Sequence, residues 1–84
     1  MDIQQQVIKI LGVALSLPET RQLQLSDGLW GELPEFDSMS VVNILTRLED
    51  EYGFIIDDDE IEAEIFMTVA NVVAFVKDKI AQSQ

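Results

Sequence analysis

Between Val41 and Tyr52 the apolar residues recur at helical spacing. Val41, Ile44, Leu45, Leu48 and Tyr52 form one stripe, while Asn43, Arg47, Asp50 and Glu51 fall on the other side. This is an amphipathic helix beginning near Ser38, with Asp37 as its N-cap. Two further stripes accompany it. From Asp2, a capping residue, Ile3, Val7, Ile10, Leu11 and Ala14 mark a first helix ending near Leu15. Thr68 caps a last helix in which Val69, Val72, Val73, Val76 and Ile80 face inward. Gly53 stands where a left-handed cap should end the second helix, and Phe54-Ile55-Ile56 reads as a short extended segment packing inward. Asp57 to Glu60 has the spacing of a capping box, opening a short third helix with Ile61 and Ile65. The expected fold is all-α: a small antiparallel helical bundle of three main helices and one short helix, a single domain over residues 1–84.

The first two helices are joined by a long loop, Ser16 to Phe36, punctuated by Pro18, Gly28, Gly31 and Pro34. Structureless connections of this length are uncommon in compact domains, so Leu23, Leu25, Leu29, Trp30 and Leu33 are expected to pin it to the helices. A helical turn fits near Glu19 to Gln24, and Trp30 reads as a lid over the core. Gly12 inside the first helix costs about 1 kcal/mol relative to alanine, so it either permits close packing or marks fraying.

Sixteen acidic residues against five basic ones give a net charge of −11, which repels nucleic acid and anionic membrane surfaces and points to basic partners. Cysteine and histidine are absent, which excludes disulfides, the usual zinc sites and a Ser-His or Cys-His nucleophile pair. No catalytic residue is assigned. The acids from Asp57 to Glu64 do not match a calcium loop, because Ile61 stands at its fifth position and Glu62 at its glycine position; no metal site is expected. The N-terminal stretch lacks the positive charge of a signal peptide, and no run approaches the ~20 apolar residues of a membrane span. Cytoplasmic location and no stable membrane insertion are the expectation.

With Asp37 as cap, Ser38 is the first helical residue and its hydroxyl is exposed. The positive end of the helix dipole and the remaining amide groups would favour a phosphate attached there. An Asp-Ser pair before an apolar run is, by local pattern alone, most often only a cap.

Asp37-Ser38-Met39, followed by an apolar helix ending in Glu49-Asp50-Glu51-Tyr52-Gly53, resembles the prosthetic-group site of acyl carrier proteins, whose usual motif is Asp-Ser-Leu. The likeness runs from Ile3 to Ile80. In Leu33 to Met39 and Asp58 to Val69 it is similar to acyl carrier proteins associated with bacterial exosortase and exopolysaccharide systems. The resemblance implies 4′-phosphopantetheine on Ser38, with Asp37 and Met39 completing the motif. It further implies a phosphopantetheinyl transferase and acyl-loading and acyl-transfer enzymes as partners of a monomeric carrier that is not an enzyme. Cargo would fold back beside Val41, Ile44 and Leu45, with Val69 and Val73 opposite.

Three departures matter: Glu35 replaces the glycine two residues before the aspartate, Met39 replaces leucine, and Ser40, Asn43 and Arg47 stand where the second helix often carries acids. Taking Val41 as inward and about 100° per residue, Met39, Val42, Thr46 and Glu49 share a strip starting beside Ser38. This strip, with Arg47 and Asp50, is the expected docking surface for partners with basic patches. An aminoacyl or peptidyl carrier, and an unmodified acidic helical adaptor, remain the alternatives.

Overall fold

The computed structural model describes residues 2–18, 23–33 and 36–83, with Asp58 and Ser83 described by their backbone alone. Residues 19–22 of the expected helical turn, and Pro34 and Glu35 of the motif's lead-in, lie outside the described residues. Three α-helices carry the chain: α1 (Ile3–Ala14), α2 (Ser38–Tyr52) and α3 (Val69–Ser83). Each starts as its cap dictates. Asp2 Oδ1 accepts from the Gln4 amide at 3.0 Å, Asp37 Oδ1 from the Ser40 amide at 2.9 Å, and Thr68 Oγ1 from the Asn71 amide at 3.1 Å. Gly53 ends α2 in the left-handed region, at φ 74°, where a side chain would be strained.

The stripes meet in one core. Val7, Leu11, Ile44, Leu48, Val69, Val72 and Val76 are buried almost completely, and burial of each such side chain contributes roughly 1.5–3 kcal/mol. α1 packs against both α2 and α3. Tyr52 Oη donates to Gln6 Oε1 at 2.9 Å, so the end of α2 lies beside the start of α1 and the two run antiparallel.

The C-terminus of α1 departs from expectation. A Cβ on Gly12 would meet nothing within 4 Å, and the helix continues to Ala14, so Gly12 neither permits close packing nor marks fraying. Its carbonyl instead accepts from the Leu17 amide at 2.9 Å, while the Ser16 amide donates to Val13 O at 3.1 Å. This is the paired closure of a Schellman turn, with Ser16 at φ 56° in the position glycine usually takes.

The long connection is docked on the entry to α3. The Leu29 and Trp30 amides donate to the carbonyls of Met67 and Phe66, each at 2.9 Å. In return the Val69 and Ala70 amides donate to Asp27 O and Leu25 O, each at 3.0 Å. Two amides that a helix start leaves without internal partners are thus satisfied by the loop. Leu23, Leu29 and Leu33 are buried as expected, whereas Leu25 and Trp30 are partly exposed and attach through their backbone.

Between α2 and α3 two expectations are corrected. Phe54 and Ile56 pack inward, but Ile55 is 76% exposed, because an extended backbone sends alternate side chains to opposite sides. The short third helix is two 3₁₀ turns, Asp58–Glu60 and Ala63–Phe66, interrupted at Ile61 and Glu62. Half of the capping box is present, as the Asp57 amide donates to Glu60 Oε2 at 2.9 Å. The same carboxylate accepts from Lys79 of α3, which ties the first turn to that helix.

Candidate functional site

Asp37 is in extended backbone and turns its carboxylate back over the first turn of α2. One oxygen, Oδ1, accepts both the amide and the hydroxyl of Ser40, at 2.9 and 3.0 Å. These bonds, the amide first and the hydroxyl second, hold the Asp37 carboxyl below the usual aspartate range. Ser40 is thereby buried and engaged. Ser38, the first residue of the helix, is exposed, and no acid occupies the first turn.

Beside Ser38 an open pocket of about 240 Å³ is lined by Trp30, Val41, Ile61, Glu62, Ala63 and Phe66. Phe66 is its buried floor. Trp30 meets Phe36 edge-on at 5.8 Å between ring centres, and Phe36 meets Phe66 at 6.0 Å, so three rings step from surface to core just ahead of the motif. Trp30, 44% exposed, covers the pocket from outside and is only partly a core lid.

The space expected beside the α2 stripe is only partly there. Val41 lines the pocket, but Ile44, Val69 and Val73 belong to the closed core and do not border it. Ile61, Ala63 and Phe66 take that place, and sequence spacing missed them because the wall is made of 3₁₀ turns with no steady period. The apolar character of Ile61, Ile65 and Phe66 among many acids was the available signal.

The expected docking residues are divided among three settings. Met39, at 67%, and Val42, at 55%, are exposed with Thr46 on the outer side of α2. Arg47 and Asp50 line a groove of about 410 Å³ between α1 and α2, shared with Gln6, Lys9, Ile10 and Val13. Glu49 is half-buried, and its Oε2 accepts the Ile56 amide at 2.8 Å, tying the segment after Gly53 back to the helix. No cluster of potential metal ligands occurs among the described residues, and no helix there is long and apolar enough to cross a membrane.

The residues present suit a phosphodiester-linked arm. A reachable hydroxyl sits at a positive helix end, the Asp37 carboxylate is engaged by Ser40, and a mainly apolar pocket adjoins.

Comparison with known proteins gives the same answer. The family described as phosphopantetheine attachment site matches residues 2–76. Acyl carrier proteins of Rickettsia canadensis (strain McKiel) and Rickettsia massiliae (strain Mtu5) are each 32% identical over 77 residues, spanning 92% of this chain and 85% of the relative. The solution NMR structure of a holo acyl carrier protein from Nitrosomonas europaea superposes with a TM-score of 0.83 at 41% identity, covering 96% of this chain and 99% of that one. These matches bear out the helical bundle, 4′-phosphopantetheine as the cofactor and a carrier role without catalysis. The chain belongs to the phosphopantetheine-attachment family, among the acyl carrier proteins.

Proposed function

We propose that Ser38 Oγ is the atom to which a phosphopantetheinyl transferase joins 4′-phosphopantetheine, and that residues 1–84 act as one carrier domain. The observation that carries this reading is the contrast between Ser38 and Ser40. Ser38 is exposed at the helix end beside the pocket, whereas Ser40 is buried and bonded to Asp37. When bound, the group supplies the thiol that forms acyl thioesters, which a chain without cysteine cannot provide. Asp37 holds the first turn so that Ser38 faces outward, the α2 dipole favours the phosphodiester, and Trp30 and Ile61 offer the arm's root an apolar shelter.

Acyl-loading and acyl-transfer enzymes then dock beside Ser38. Met39, Val42 and Thr46 give them an apolar contact, and Arg47 with Asp50 a charge pattern farther along α2. With little acid early in the helix, the matching enzymes carry basic residues opposite Asp50 or an acid opposite Arg47. The displaced charge pattern supports partners other than those of ordinary fatty-acid synthesis, and the carrier is proposed to serve, as a monomer, a specialised cytoplasmic pathway for lipid or surface polysaccharide.

Co-expression with a broad-specificity phosphopantetheinyl transferase, followed by intact mass measurement, tests the assignment. One phosphopantetheine mass is expected on the wild type and none on Ser38→Ala. Addition at Ser26 or Ser40 would overturn the site, and an unmodified wild type would favour a plain adaptor. The mass of protein from the native host would report the cargo.

A further inference from the structure

Sulfur enters this polypeptide only as thioether, since there is no cysteine and the methionines are Met1, Met39 and Met67. Met1 lies outside the described residues. Met67, at the entry to α3, is 48% exposed, and Met39 is 67% exposed. Met39 is the second residue of α2 and the immediate neighbour of Ser38. Val42, also exposed, continues its apolar strip one turn later.

The fold does not rest on the Met39 side chain. It belongs neither to the core nor to the half-buried side chains packed on that core, so a change in its polarity alters the surface beside Ser38 and spares the helices. Charge selects what can reach it. At a net charge of −11 the chain holds off anionic oxidants, whereas a neutral peroxide approaches freely.

We propose that Met39 is an oxidative modification site, and that its conversion to the sulfoxide by a peroxide withdraws Ser38 from phosphopantetheinyl transfer. The switch rests on Ser38 being the attachment atom. The thioether lone pair attacks one peroxide oxygen, the O–O bond breaks, and the proton of the transferred oxygen passes to the departing one. Sulfur is oxidised by two electrons, and hydrogen peroxide is reduced to water. The product is a polar, chiral side chain in place of a flexible apolar one. A transferase that reaches Ser38 Oγ must cover the adjoining residue, and desolvating a sulfoxide oxygen without a partner opposes that contact. Leucine, a near match in volume, would give the same apolar contact with no such switch. Methionine sulfoxide reductases, one for each epimer, return the thioether, so the modification is reversible.

The test uses the full apo chain, in which no arm thiol competes for the oxidant. Hydrogen peroxide is added and then removed with catalase, and peptide mapping follows each methionine. Met39 should oxidise at least about twofold faster than Met67, in keeping with its exposure. Transfer by a broad-specificity phosphopantetheinyl transferase, read by intact mass, should then run about tenfold slower than on the untreated chain. The two reductases together should restore it. Met67→Leu should show the same loss, and Met39→Leu, compared with its own untreated sample, should show none. Equal rates on the untreated chain and on a chain oxidised at Met39, or a loss that persists in Met39→Leu, would overturn the proposal and leave the Ser38 assignment standing. An untreated chain that accepts no phosphopantetheine would overturn both. If oxidation of the wild type abolishes helical circular dichroism, treated Met67→Leu decides the matter. A helical protein with slowed transfer supports the switch, while unfolding or undiminished transfer overturns it.

Discussion

Asp37 Oδ1 accepts both the amide and the hydroxyl of Ser40, at 2.9 and 3.0 Å, and so closes the first turn of α2 with Ser38 left outside the pairing. The Asp37 carboxyl is held below its ordinary value by those bonds, as is that of Glu60 by Lys79 and the Asp57 amide. A depressed folded-state value means stability that is fully present above the unfolded value, near pH 4, and lost as pH falls through the folded one. Urea unfolding from about pH 6 to about pH 2 should therefore show a decline confined to the acid end. Ser40→Ala should weaken that acid dependence by returning Asp37 towards its ordinary value. The amide bond survives that change, so an unchanged acid limb in Ser40→Ala would show that the hydroxyl bond to Asp37 does not contribute in solution.

Ser16 occupies the left-handed position of the turn that ends α1. A residue with a Cβ is strained there by about 1 kcal/mol, and glycine is not. Ser16→Gly should accordingly raise unfolding stability by roughly 0.5–1 kcal/mol, read from the midpoint of urea unfolding with an unchanged slope.

Ile55 and Ile56 are adjacent and chemically identical, yet one is exposed and the other buried. Ile56→Ala should cost about 2–4 kcal/mol, a large part of the stability of a small domain, and Ile55→Ala less than about 0.5 kcal/mol. Thermal or urea unfolding of the two variants checks the contrast. Equal losses would mean that Ile55 is covered in solution.

Val42→Asp should slow loading or transfer by a cognate enzyme about tenfold without altering circular dichroism, since Val42 is more than half exposed. Arg47→Glu should change which enzymes act on the carrier more than its melting temperature. Glu49→Lys is a different kind of variant. It removes the acceptor of the Ile56 amide and should lower stability by about 1–3 kcal/mol, so loss of activity there would not report docking alone.

The main helices, their caps at Asp2, Asp37 and Thr68, the left-handed Gly53 and the exposed serine at the start of α2 were all legible in the sequence. Each is governed by residues within about a turn of one another, through stripe periodicity, a side-chain oxygen two or three residues from an amide, or a glycine at a helix end. Tertiary structure decided the rest. The loop carbonyls of Leu25 and Asp27 reach the first amides of α3, and Glu60 is bound by Lys79 nineteen positions later. Trp30, Ile61 and Phe66 come together beside Ser38 from separate stretches. Such pairings join residues that share no period and no neighbouring position, so they exist only once the three stripes have closed on one core and brought the loop and the 3₁₀ turns into place.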